Sequence, residues 1–98
     1  MNPTFAARLR DLRIEWFASE KGYTMFTREN CAAIGHAQGD GYSVGSTGMM
    51  TEAGLSFLMW RDGHAFFAAH GGAETPASPE QVAAARQFTE DLKVALAR

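Results

Sequence analysis

"GLSFLMWRDGHAFFAAHGG", residues 54–72, places two apolar runs on either side of Asp62-Gly63. Asp62-Gly63 is a two-residue turn signal between two apolar runs, the strongest short-range mark of a β-hairpin. Closing the chain on that turn sets Trp60 against Ala65, Leu58 against Phe67 and Ser56 against Ala69 on one side. Met59 then meets Phe66, and Phe57 meets Ala68, on the other. A hairpin with one wet face alternates apolar and polar residues; here both sides are apolar. Slipping the register by one residue exchanges the faces and leaves both of them apolar. Each face therefore needs a cover, and the rest of the chain has to supply it.

Two helices are available. Residues 78–97 open with "SPEQ": Ser78 as N-cap, Pro79 in the first turn and Gln81 at the third position form a capping box. Val82, Ala85, Phe88, Leu92 and Leu96 follow as one apolar stripe, with Val94 off it. Residues 3–21 read as the other helix. Asn2-Pro3 starts it, Gly22 stops it, and Phe5, Leu9, Leu12 and Trp16 lie on one face of a 3.6-residue period. Ile14 and Phe17 form a second strip, which predicts a second neighbour for this helix.

The middle reads as sheet. "YTMFT" (23–27) is a short strand, and "CAAIGHAQGDGYSVGST" (31–47) is a hairpin of small residues turning at "QGDG". Over 28–37 strand is favoured above a short helix. "GGAETPA" (71–77) is taken as a loop. The order helix, strands, helix predicts an α+β fold: an antiparallel meander of about four strands between two terminal helices.

At 98 residues the chain is expected to be one domain, 1–98. With 46% hydrophobic residues it can bury a core, and a net charge of −2 argues against nucleic acid and anionic membrane as partners. No apolar run approaches the ~18 residues of a membrane span. One cysteine, Cys31, forbids an internal disulfide, and with no signal-peptide pattern the expected location is cytoplasmic.

Chemistry-bearing motifs are sparse. "GYSVG" (41–45) matches G-x-S-x-G, but that motif needs a strand-to-helix turn in a much larger fold, and "STGMMTEAG" is a poor helix. Cys31, His36, His64 and His70 lack close metal-ligand spacing; His64 and His70 on one strand would stand about 20 Å apart. Arg8, Arg10 and Arg13 are diluted by Asp11 and Glu15. Neither a catalytic set, nor a metal site, nor a cofactor is expected.

The geometry of cover points to a function instead. Four strands make a sheet about 19 Å wide, and two helices about 10 Å apart cover one face of it. The leftover apolar face predicts a non-catalytic protein-binding module of the accessory, adaptor, chaperone-like or inhibitor kind. Its partner would be another protein or a second copy, a homodimer being the simplest. Trp60, Met59, Phe57, Phe66, Phe67, Ile14 and Phe17 are the expected contact residues, with Trp60 as anchor. The alternative is a small-ligand binder with a pocket between the sheet and the Gly-rich segment 39–53; a small Cys/His enzyme ranks below both.

Overall fold

A computed structural model describes residues 1–97, and shows two helices and one antiparallel sheet. Helix α1 (Pro3–Asp11) is followed by β1 (Glu15–Ala18), β2 (Thr24–Arg28), β3 (Cys31–Gln38), β4 (Gly41–Thr51), β5 (Gly54–Arg61), β6 (His64–Ala69), β7 (Glu74–Pro76) and helix α2 (Pro79–Ala95). The strands pair in chain order, so the sheet is a continuous meander. The expected α+β class and antiparallel sheet hold; the strand number is seven rather than about four.

The hairpin at 54–70 closes as its turn dictates. Asp62 and Gly63 both take positive φ, 51° and 78°, the requirement of a type I′ turn. The pairs are Trp60–Ala65, Met59–Phe66, Leu58–Phe67, Phe57–Ala68 and Ser56–Ala69, those expected from the sequence. Likewise α2 begins at the capping box: Gln81 N donates to Ser78 Oγ at 3.1 Å, and Ser78 N donates to Gln81 Oε1 at 2.8 Å. Segment 28–37 is strand rather than helix, Arg28 ending β2 and residues 31–37 lying in β3 after a turn at 29–30, and part of the expected 71–77 loop is β7.

The expected helix 3–21 is corrected. It ends at Asp11, and Glu15–Ala18 is a strand. A Schellman motif makes the stop. Arg13 takes φ 60°, its N–H donates to Arg10 O at 3.0 Å, and Ile14 N–H donates to Leu9 O at 2.8 Å. Leu9 and Ile14 are both buried, the apolar contact that accompanies the motif. The left-handed position is usually glycine; here it is arginine, so no punctuation announces the end. Trp16 continues the helical period by coincidence and pairs with Phe26 across β1 and β2.

Both helices pack on one face of the sheet. Leu9 of α1 and Phe88, Leu92 and Ala95 of α2 meet Phe26, Ala33, Met49 and Phe67 of the strands in a single core. Arg28 pins this layer. Its guanidinium donates to the Leu12 carbonyl behind α1 at 3.0 Å and to Asp91 Oδ2 of α2 at 2.8 Å. Among the described residues no buried side-chain polar atom lacks a hydrogen bond.

Candidate interaction surface

Strand alternation assigns every side chain to a face. Cross-strand partners share a face, so the register alone defines the side opposite the helices. Phe17 pairs with Met25 and Met25 with Ile34, an apolar row across β1, β2 and β3. Past the bulge in the β3–β4 pairing, Met50 pairs with Leu55, Phe57 with Ala68, and Met59 with Phe66, a second apolar group on the same side across β4, β5 and β6. Among the described residues neither helix lies over this side. Phe17 is 56% exposed, Met50 51% and Met59 48%, while Met25, Ile34, Leu55, Phe57 and Phe66 are partly buried.

The rim is polar. Arg61 donates to both carboxylate oxygens of Glu74 at 3.0 Å, and its guanidinium lies 4.7 Å from the Phe66 ring centroid. The ion pair raises the Arg61 pKa and lowers that of Glu74, in both cases chiefly through the shared hydrogen bonds. At the far end Tyr23 stands edge-on to His36, which pairs with Ser43. Seven strands at about 4.8 Å and about five residues of depth make a face on the order of 500–600 Å². That area includes polar positions such as Thr27 and Ser43, so its apolar part lies within the range a monomer exposes in one patch.

The expected contact residues divide between the two faces. Phe17, Phe57, Met59 and Phe66 lie together on the open face. Ile14 and Phe67, at 2% and 1% exposure, are core and present nothing to a partner from this fold. Trp60 is half-exposed but on the helix-bearing side, opposite Ala65, with the Arg86 guanidinium 5.1 Å from its ring centroid. It is therefore not the anchor of the bare face. Sequence reasoning left Met25, Ile34, Met50 and Leu55 out of the contact set. Their signal was present in the alternation of "TMF" and in the apolar ends of β4 and β5, but it needed the pairing of β2 with β3 and of β4 with the 54–70 hairpin, which no local turn signal specifies.

The chemical candidates do not assemble. Ser43 is exposed near the start of β4, which runs on to Thr51 with no helix following it. Cys31 is buried on the helix side, whereas His36 is exposed. Burial pushes the Cys31 thiol pKa up; nearby Arg28 lowers it and Glu29 raises it. The net shift disfavours the thiolate, the reactive form. Among the described residues no group of three or more His, Cys, Asp or Glu side chains could hold a metal ion. No described helix is long and apolar enough to cross a membrane.

A cleft of about 290 Å³ lies on the other side of the sheet, between β4 and α2. Val44, Leu92 and Leu96 line it together with Tyr42, Thr47, Thr89 and Lys93. It is opened by a bulge: Ala33 pairs with Thr47 and Gly35 with Val44, leaving Gly45 and Ser46 without partners in β3. No protein-family model, curated protein or solved structure matches the chain.

Proposed function

We propose that this protein is a non-catalytic protein-binding module that works by covering its open sheet face with protein, most simply with a second copy of itself. One observation carries the reading. Two apolar groups, Phe17–Met25–Ile34 and Met50–Leu55 with Phe57, Met59 and Phe66, lie on the side opposite the helices, and both helices are spent on the other side. A standard interface takes about 800 Å² from each partner, which the open face and its Arg61–Glu74 rim together approach. A twofold axis lets one such patch satisfy itself.

The test is mass in solution by light scattering at tens of micromolar, a concentration that reads micromolar affinity. The wild type should run as a dimer. Met59→Glu and Phe17→Glu should run as monomers with unchanged far-ultraviolet circular dichroism. Trp60→Glu, on the opposite side, should remain dimeric. A monomeric wild type whose open-face amides exchange and whose Met59 and Phe17 variants behave identically would overturn the reading.

The β4–α2 cleft favours a second reading, a small-ligand binder, since this is where segment 39–53 meets a covering element. Its volume of about 290 Å³ is at the small end for ligand sites.

A further inference from the structure

The sheet is forked. β4 and β5 pair only where Gly48–Thr51 meets Gly54–Phe57. Before that point Tyr42–Thr47 has β3 on one side and no strand on the other; beyond it Leu58–Arg61 pairs with β6 alone. Gly48 is the crotch of the fork, because the Ser56 carbonyl and Phe57 Cα occupy the space a side chain would need. An unpaired edge is a row of free N–H and C=O groups ready to template another strand, and proteins usually blunt it with lysine, proline or an inward charge. The regular part of this edge, Tyr42–Val44, carries none of these; the bulge at Gly45 and Ser46 interrupts it before Thr47.

Helix α2 roofs the fork. Val82, Arg86, Thr89, Lys93 and Leu96 recur at spacings of four and three, which makes them one stripe along the helix. Residues of this stripe line two separate clefts, about 360 Å³ beside Trp60 and Ala65 on the β5 arm and about 290 Å³ beside Tyr42 and Val44 on the β4 arm. The charged residues among the lining of both are Arg86 and Lys93, cations in a chain of net charge −2. Lys93 is held to Glu90 only at 3.7 Å on an exposed surface. Thr89 donates its hydroxyl proton to the Ala85 carbonyl, so in the Thr47–Thr89 hydrogen bond Thr47 is the donor and keeps acceptor capacity toward the groove.

We propose that the fork is a docking groove for an extended, acidic and apolar peptide segment of a partner protein, which adds as a strand to the Tyr42–Thr47 edge beneath α2. Main-chain hydrogen bonds to the edge would supply affinity, and alternate side chains meeting the α2 stripe would supply selection. The occupant is not a second copy: joining two such grooves would set Arg86 and Lys93 against their own images, a like-charge juxtaposition that opposes association. The groove lies on the helix-bearing side, so the proposal is independent of the open face.

The experiment is a titration of the isotope-labelled protein with the capped peptide Val-Thr-Glu-Thr-Val-Thr-Glu, read by amide shifts and amide exchange. This sequence sets Val and Glu alternately on one face of a strand. Shifts and slowed exchange should concentrate at Tyr42–Thr47. The peptide with lysine in place of glutamate should bind at least tenfold more weakly, as should the variants Arg86→Glu and Lys93→Glu with the original peptide; Met59→Glu should bind as the wild type does. A peptide N-methylated along its main chain should not bind. The proposal is overturned if nothing shifts at about 1 mM peptide, or if the N-methylated peptide binds equally well. It is also overturned if octanoate occupies the β4 cleft while the peptide does not, or if Tyr42–Thr47 becomes protected with protein concentration alone.

Discussion

Phe66 and Phe67 are consecutive in β6 and meet opposite fates. Phe67 pairs with Leu58 beneath the helices and is 1% exposed; Phe66 pairs with Met59 on the open face and leans on Arg61. The same division runs through the sheet. Phe26, Met49 and Phe67 face Phe88 and Leu92, while Met25, Met50 and Phe66 face no other element. The residue types are alike, so composition does not distinguish core from docking surface. What distinguishes them is the supply of cover. Helix α2 has 17 residues, about 26 Å at 1.5 Å per residue, and α1 has nine; together they roof one side of a sheet about 34 Å across.

Truncating the two neighbouring rings should have very unequal costs. Phe67→Ala should cost about 3–5 kcal/mol, because a cavity opens in a packed core. Phe66→Ala should cost well under half of that in dilute monomer, since its ring already meets solvent. Urea unfolding at low protein concentration compares them, and equal losses would mean that something covers both faces.

The next effect concerns what holds the roof down. Asp91→Ala should cost about 1–2 kcal/mol at neutral pH by removing the charge-assisted hydrogen bond from Arg28. The Arg28 guanidinium, followed by Gln87, holds the Asp91 pKa below its ordinary value. A depressed carboxyl contributes stability that is complete above the unfolded-state value, about 3.9, and is lost as pH falls through the lower folded-state value. The gap between the wild type and Asp91→Ala should therefore begin to close below about pH 4 and vanish only as pH falls through the lower folded-state value. A gap that persists in acid would assign the effect to packing rather than charge.

A smaller effect sits at the start of the roof. Ser78→Ala should cost about 1 kcal/mol, because Gln81 N–H loses its acceptor. An unchanged denaturant midpoint would show that α2 does not depend on this cap.

The features legible in the sequence were those whose signal is local. Asp62-Gly63 specifies a turn, the turn specifies the register, and "SPEQ" specifies a helix start; none of these needs a distant residue. The strands β1 and β7 were not legible for the opposite reason. Glu15–Ala18 becomes a strand because β2 lies beside it, and the helix before it stops on Arg13, a residue with no stop signal. Glu74–Pro76 is three residues long and exists only against β6. The same gap governed the site. Two-sided apolarity in one hairpin revealed that a bare face should exist, but only the assignment of faces separates Met59 from Trp60 and Phe66 from Phe67.

The smallest expected effect is at Ser43. It sits on the open face, exposed and paired with His36, inside the G-x-S-x-G pattern of a hydrolase nucleophile. Such a nucleophile is made by strain: the serine rides a sharp turn between a strand and a helix, which lifts its hydroxyl out of the sheet. Here the strand continues through Val44 into the bulge, and Ser43 is not among the residues with left-handed backbone. An adjacent histidine alone does not activate it, since a triad also needs a third group to orient the imidazole and donors to stabilise an oxyanion. Ser43→Ala should therefore change unfolding free energy by no more than about 0.5 kcal/mol, as at other exposed positions. A fluorophosphonate should leave Ser43 unmodified by mass spectrometry. Stoichiometric labelling would give the open face a chemistry that its apolar residues do not suggest, and would end the distinction drawn between a face that binds and a face that reacts.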